Sequence, residues 1–94
     1  MATKVNASHI LVKTEQEIKA IKAELDSGKS FEALAREKSI CPSKKDGGNL
    51  GWFTHGMMVR EFEKAAFSMK KGQVSQPVKT QFGWHLIKIN DTWG

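Results

Sequence analysis

Apolar and polar side chains alternate near both ends of the 94-residue chain, and this period of two predicts a β-strand at each end. The first predicted strand covers residues 4–13 and the last covers residues 84–91. Each strand places one histidine, His9 or His85, on the same face as apolar neighbours. Because these are the most apolar strands of the chain, we expect them to be neighbours at the centre of a sheet, where the two imidazoles would meet.

Helical periodicity occupies three stretches between these strands. Thr14 and Glu17 form a capping box ahead of a first helix, which Gly28 ends. Ser30 is the expected N-cap of a second helix. Apolar residues spaced three and four positions apart predict a third helix over residues 59–71.

The remaining segments predict loops and short strands. Residues 41–49 contain Pro, Asp and two Gly and predict a loop, and residues 50–54 predict a short second strand. Residues 74–81 predict a short third strand, in which Pro77 suits an edge position, and Gly83 turns the chain into the last strand. The order β-α-α-β-α-β-β predicts an α+β domain with a small antiparallel sheet.

Length and composition indicate one soluble domain over residues 1–94. The hydrophobic fraction is 39% and the charged fraction 27%, which are ordinary values for a globular chain. No apolar run reaches the roughly 20 residues that a membrane span needs, and we see no secretory signal. The single Cys41 excludes an internal disulfide and fits a reducing compartment. We therefore expect a cytoplasmic monomer.

The net charge of +5 is concentrated in the last third of the chain, where residues 64–94 carry five basic side chains and one acidic side chain. The bland interpretation of this excess is solubility. The alternative is weak association with nucleic acid or with the anionic inner face of a membrane. The lysines that would carry this association are Lys64, Lys70, Lys71, Lys79 and Lys88.

The histidines and the cysteine allow several kinds of site. A core-facing pair at His9 and His85 is either a structural hydrogen-bonded pair or part of a site. A metal site that adds Cys41 and His55 is not expected, since neither a CxxC nor an HxxxH spacing occurs. A thiol nucleophile at Cys41 stays open. His55 itself is predicted to be a solvated turn residue without a role.

Four motifs follow one another in the region of residues 5–89: SHILVK, SFEALAREKSICPSKKDGGNLGWF, GMMVREFEKAAF and KGQVSQPVKTQFGWHLIKI. Together they resemble the parvulin family of peptidyl-prolyl cis/trans isomerases. The resemblance is to the minimal, single-domain prokaryotic type. It implies a four-stranded antiparallel sheet surrounded by helices, in the order β-α-α-(short α)-β-α-β-β. It also implies an isomerase that needs no metal or other cofactor.

The resemblance also implies a set of site residues. It makes His9 and His85 the paired central histidines of the family, and Thr80 the hydroxyl that hydrogen-bonds them. It places Cys41 beside the isomerising bond. The residues implied to form the pocket for the substrate's proline ring are Leu50, Met58, Phe62 and Phe82. Lys13 matches the basic residue at the end of the first strand and is also implied to bind substrate.

Phosphate-directed parvulins depart from this chain after the first strand, where they carry a long loop with adjacent arginines. Here Lys13 is followed by TEQE and a helix, and two glutamates oppose a dianionic phosphate. We therefore expect recognition of proline-containing peptides or unfolded segments without phosphate. Two alternatives stay open: a chaperone module that binds proline segments with little turnover, and a lysine-rich adaptor for anionic surfaces.

Overall fold

Eight short elements make up the computed structural model, which describes residues 2–94. In chain order they are β1 (Lys4–Val12), α1 (Glu15–Asp26), α2 (Phe31–Lys38), a 3-10 helix (Pro42–Asp46), β2 (Asn49–Phe53), α3 (Arg60–Phe67), β3 (Val78–Thr80) and β4 (Gly83–Trp93). The strands form one antiparallel sheet in the order β2-β1-β4-β3. The predicted α+β class and the order of elements, including the short helix in the 41–49 loop, are confirmed.

The two long strands β1 and β4 pair along their length at the centre of the sheet, as predicted. Leu11 lies opposite His85, and His9 lies opposite Ile87. Because diagonal neighbours on one face of an antiparallel pair come close together, this register brings the two histidines to the same place on the sheet.

Both predicted helix caps are present. The Thr14 hydroxyl accepts a hydrogen bond from the Glu17 backbone N–H at 3.2 Å and donates to the Glu17 carboxylate at 2.8 Å. The Ser30 hydroxyl accepts from the Ala33 N–H at 3.2 Å. These bonds satisfy amides that have no partner within the helix, so the local sequence fixes where α1 and α2 begin.

Alternate residues of β1 and β4 cover two different faces of the sheet. On the closed face, the strands pack against α1 and α2 through Ile10, Val12, Leu86, Ile18, Ile21, Phe31, Leu34 and Ala35. On the cleft face, they pack against β2 and α3 through Val5, Ala7, Ile87, Ile89, Phe53, Phe62 and Ala66. Because helices cover both faces, β1 and β4 are apolar on both sides.

Several element ends differ from the prediction. α3 ends at Phe67 rather than at residue 71, because the chain leaves the helix in a turn in which the Ser68 hydroxyl donates to the Ala65 carbonyl at 2.8 Å. β3 has only three residues, since Pro77 precedes it and cannot donate to a sheet. β4 continues to Trp93, which pairs with the start of β1.

Candidate functional site

A largely apolar cleft of about 580 Å³ opens on the cleft face between α3 and the segment after α2. Among residues 2–94, no lysine, arginine, aspartate or glutamate lines it. Its lining consists of His9, Leu11, Ile40, Cys41, Pro42, Leu50, Met57, Met58, Val59, Phe62, Phe82 and His85. A cleft of this size with few polar groups is typical of a binding site for an apolar ligand or peptide segment.

The floor of the cleft is a buried pair of imidazoles. The Nδ1 atoms of His9 and His85 lie 3.0 Å apart, and the rings stack with centroids 5.2 Å apart. The Phe62 ring meets both imidazoles edge-on, at centroid distances of 5.6 Å and 5.3 Å. One helix side chain therefore packs directly on both histidines.

Thr80 extends the pair into a chain of hydrogen bonds. Its hydroxyl oxygen lies 2.7 Å from His85 Nε2 and accepts from the Phe82 backbone N–H at 3.1 Å. A single proton lies between the two Nδ1 atoms, so one neutral imidazole donates and the other accepts. The other nitrogen of His9, Nε2, is buried without a hydrogen-bond partner among residues 2–94.

Burial keeps both imidazoles neutral at physiological pH. Loss of solvation lowers the pKa of His85 from 6.5 to about 4. The pKa of His9 also falls to about 4, first because of burial and second because of repulsion from His85. A pair with these pKa values has no imidazolium to donate near pH 7, and its hydrogen bonds hold neighbouring side chains in place.

Cys41 lies at the opposite rim from α3, immediately before the 3-10 helix, and its side chain is half-buried. Among residues 2–94, no hydrogen bond joins its sulfur to an imidazole. A cysteine nucleophile is activated by such a neighbour, so this geometry gives the thiol no base.

The structure brings together most of the residues that the sequence singled out. His9, Cys41, Leu50, Met58, Phe62, Phe82 and His85 all line the cleft. Thr80 lies behind His85, where it completes the hydrogen-bonded chain. Lys13 is exposed just after β1 and is not part of the lining.

Ile40 and Met57 are the main lining residues that sequence reasoning missed. Both lie outside helices and strands and expose at least half of their surface. Together with Phe82 they give the cleft an apolar rim, which we define by these three residues. Large apolar side chains in loops next to a predicted site were the available signal, although no periodicity marks them.

His55 lies outside this cleft and has local partners of its own. Its ring stacks on Phe67 with centroids 3.9 Å apart, and its Nδ1 lies 3.2 Å from a Glu63 carboxylate oxygen. The Gly56 N–H and the His55 ring both lower the pKa of Glu63 by hydrogen bonding. No group of three metal-ligating side chains occurs in residues 2–94.

The lysines of the C-terminal third have different surroundings. Lys88 forms an ion pair with Glu32 at 3.0 Å, and Lys71 lies 3.7 Å from Asp91. The Lys79 ammonium lies 5.9 Å from the centre of the Trp84 ring. Within the described part of the chain, residues 2–94, no helix is both long and apolar enough to cross a membrane.

Comparison with known proteins identifies relatives over nearly the whole chain. The family model for the rotamase, or PPIC-type PPIase, domain matches residues 3–91. Foldase protein PrsA of Geobacillus kaustophilus is 55% identical over 89 residues, which are 94% of this chain and 32% of the relative. Foldase protein PrsA 1 of Bacillus cereus is 57% identical over 93% of this chain and 31% of the relative. The chain thus spans about a third of the length of these curated relatives.

Solved structures similar to this one include larger and equally small proteins. PrsA from Bacillus anthracis superimposes with a TM-score of 0.96 at 47% identity, over 99% of this chain and 43% of that one. NmPin, the parvulin of Nitrosopumilus maritimus, matches with a TM-score of 0.82 at 48% identity, over 100% of this chain and 99% of that one. CsPin from the archaeon Cenarcheaum symbiosum matches with a TM-score of 0.81 at 49% identity, over 95% and 93% of the two chains.

Proposed function

The chain belongs to the PPIC-type peptidyl-prolyl cis/trans isomerase family, the parvulins, and we propose that its cleft accelerates X–Pro rotation without covalent chemistry. Peptidyl-prolyl isomerisation is the activity of this domain. The observation that carries the proposed mechanism is the apolar cleft above a buried, neutral imidazole pair.

Rotation about an X–Pro bond makes and breaks no bond, but it sacrifices amide resonance at a barrier of about 18–20 kcal/mol. The planar amide is strongly polar, whereas the twisted amide carries less charge on its oxygen. A site that strips water from the carbonyl therefore raises the planar states relative to the twisted one. Each differential of about 1.4 kcal/mol is worth tenfold in rate.

The apolar wall supports a role as a clamp for the prolyl ring. We assign this role to Leu50, Met58, Phe62 and Phe82, all of which line the cleft. A flexible methionine adapts to the two ring orientations that exchange during isomerisation. With the ring held, the segment before proline is the part that swings.

Cys41 and the histidine chain have different proposed roles. Cys41 stands beside the substrate carbonyl as a weakly polar group that solvates it poorly. His9, His85 and Thr80 hold the floor of the cleft in one shape through their hydrogen bonds. None of the four needs to form a bond with the substrate.

Replacing Cys41 by aspartate tests the non-covalent mechanism. The Cys41→Asp variant keeps a small side chain but has no thiol, so we expect it to retain most of its catalysis of cis/trans exchange in an Ala-Pro peptide, measured by NMR exchange spectroscopy. Cys41→Ala is the control for loss of side-chain volume. Exchange that drops to the uncatalysed rate in both variants would support a covalent step.

The proposed substrates are unphosphorylated proline-containing segments of unfolded chains. The uncharged lining supports this choice, and Lys13, the predicted basic contact, lies outside that lining. Three peptides that differ only in the residue before proline, Ala, Leu and phosphoserine, give a direct comparison. We expect the phosphoserine peptide to show the lowest kcat/KM, and a preference for it would contradict the proposal.

A binding module with little turnover is the second candidate, and the exposed apolar rim favours it. Such a module would shift the NMR signals of a proline peptide without increasing its rate of exchange. Titration and exchange measured on one sample separate the two functions, because binding with uncatalysed exchange is expected only from the module.

We also propose a cytoplasmic monomer with weak attraction to anionic surfaces. One chain supplies the whole cleft, and Lys64, Lys70 and Lys79 form no ion pair among residues 2–94. Sedimentation equilibrium checks the monomer, and cell fractionation checks the location.

Cosedimentation with anionic vesicles at low and high salt checks the attraction to anionic surfaces. Absence of binding at low salt would exclude it for membranes, and the same salt series with duplex DNA tests nucleic acid.

A further inference from the structure

We propose that Ser39 is a positioning residue for isomerisation, whose buried hydroxyl fixes the Cys41 side of the cleft against β1. This inference rests on the proposed function of the cleft and adds a residue that does not line it. Ser39 follows α2 and is 3% exposed. It influences the reaction through the backbone of its neighbours rather than through contact with the substrate.

The Ser39 hydroxyl oxygen accepts two backbone hydrogen bonds. One comes from the Leu11 N–H at 3.1 Å and the other from the Cys41 N–H at 3.3 Å. Both donors belong to residues that line the cleft, and they come from opposite ends of a gap of 30 positions in the sequence. A single oxygen therefore joins the strand that carries His9 to the residue at the opposite rim.

The reason for this bond lies in the open edge of β1. β2 pairs with β1 only as far as Ser8. Beyond it, the His9 N–H donates to the Gly48 carbonyl at 2.9 Å, and the Leu11 carbonyl accepts from the Ile40 N–H at 2.8 Å. The Ser39 oxygen takes the remaining Leu11 N–H, in the place of a carbonyl from a partner strand.

The segment 39–48 is thus docked on β1 at both ends, with Cys41 between the docking points. At the far end the backbones approach so closely that a Cβ on Gly48 would overlap the His9 carbonyl oxygen. Without the Ser39 hydroxyl, that end keeps only the Ile40–Leu11 backbone bond, and the Leu11 and Cys41 amides lose their acceptor. Cys41 then shifts relative to the imidazole floor, while Met58 and Phe62 on the other side keep their places.

Ser39→Ala tests this inference, and Ser75→Ala is a matched control. Ser75 is also buried, at 9% exposure, and its hydroxyl accepts from the Ile87 N–H at 3.0 Å on the other long strand. Four quantities are measured for each variant: the free energy of unfolding, kcat and KM for an Ala-Pro peptide, and the rate of iodoacetamide alkylation at Cys41, the single cysteine.

For Ser39→Ala we expect kcat to fall about tenfold with KM nearly unchanged, because the displaced group stands beside the rotating bond. The alkylation rate of Cys41 should change by about threefold or more, as its surroundings change. Ser39→Thr, which keeps the hydroxyl, should restore both values. Ser75→Ala should lose stability similarly but keep kcat and the alkylation rate of the original chain.

Equal losses of kcat in Ser39→Ala and Ser75→Ala, or an unchanged alkylation rate in Ser39→Ala, would overturn the inference. If Ser39→Ala does not fold, Ser39→Cys provides a weaker acceptor of similar shape, and an unchanged kcat in that variant has the same meaning. Hydrogen exchange of the unmutated protein adds a test without substitution: an unprotected Cys41 amide contradicts the docking. That test is independent of turnover, so it separates failure of this inference from failure of the proposed function.

Discussion

The two faces of the sheet use alternate residues of the same two strands, but the buried histidine pair lies on only one of them. On the closed face, Ile10 and Leu86 are buried under two helices in an apolar cluster. On the cleft face, the neighbouring residues His9 and His85 are buried beside the two-turn helix α3. On each strand, the residue next to the histidine points to the other face and packs in the core there.

The difference shows how a chain of this size combines stability with a cleft. α1 and α2 together span 20 residues and cover their face, whereas the eight residues of α3 leave part of the other face open. Buried polar groups are costly unless they are hydrogen-bonded. Three of the four ring nitrogens meet this requirement, the two Nδ1 atoms through each other and His85 Nε2 through Thr80, whereas His9 Nε2 has no partner among residues 2–94. Changes on the two faces should therefore have different consequences.

The largest effect should be a loss of folding stability in acid, which comes from the two histidines of the cleft face. The folded pKa of each buried histidine is about 4, below the value of 6.5 expected when the chain is unfolded. Between these values the unfolded chain binds more protons, so stability falls as the pH is lowered from 6.5 to 4 and these groups add no further loss below that range. The slope reaches about 1.4 kcal/mol per pH unit for each histidine. Urea unfolding at a series of pH values measures it.

Two variants test whether the buried histidines cause this loss of stability in acid. His9→Gln should reduce the slope, because one of the two buried imidazoles is gone. His55→Gln removes the exposed histidine of the β2–α3 connection and serves as the control. A slope that persists in full in His9→Gln would assign the acid sensitivity to other groups and would contradict the burial of neutral histidines.

Phe62→Ala should have the next largest effect, and on both stability and activity. The side chain is buried and touches both imidazoles, so its removal should cost about 3–5 kcal/mol of unfolding free energy. Because it also forms the wall of the cleft, kcat/KM of the folded fraction should fall about 100-fold. Urea unfolding and peptide exchange on the same preparation measure both effects. If Phe62→Ala kept its activity, Phe62 would not be part of the site that holds the prolyl ring.

Ile18→Ala is the matching change on the closed face. Ile18 is fully buried in α1, and its truncation should cost about 2–5 kcal/mol. Ile18 does not line the cleft, so kcat/KM per folded molecule should stay within about twofold of the original value. A loss of activity comparable to that of Phe62→Ala would show that the two faces are coupled through the sheet.

The sequence predicted the parts of this molecule that depend on local pattern. Alternation along β1 and β4 gave the two faces, and the position of both strands at the centre gave the meeting of His9 and His85. Caps at Thr14 and Ser30 are also local, since donor and acceptor lie within three residues. The remaining site residues came from resemblance to a family rather than from pattern.

Features that depend on tertiary contacts were not predictable in this way. The end of α3 was placed too late because Met69 still packs against the cleft-face cluster after the backbone has left the helix. Ile40 and Met57 lie in loops without periodicity, so only the fold shows that both line the same cleft. Ser39 contacts Leu11 across 28 positions, and no local signal marks such a bond.

A substitution in the apolar rim should have the smallest effect on stability, so it can change substrate binding without changing the fold. Met57 is 64% exposed on the rim, and Trp93 is 63% exposed at the end of β4, outside the cleft. Replacing either by serine removes little buried surface, so Met57→Ser should change stability by no more than about 0.5 kcal/mol. If the rim holds apolar residues next to proline, Met57→Ser should lower kcat/KM for a Leu-Pro peptide by about threefold to tenfold relative to an Ala-Pro peptide. Trp93→Ser should leave that ratio unchanged, and an equal change in both variants would show that the rim does not select substrates.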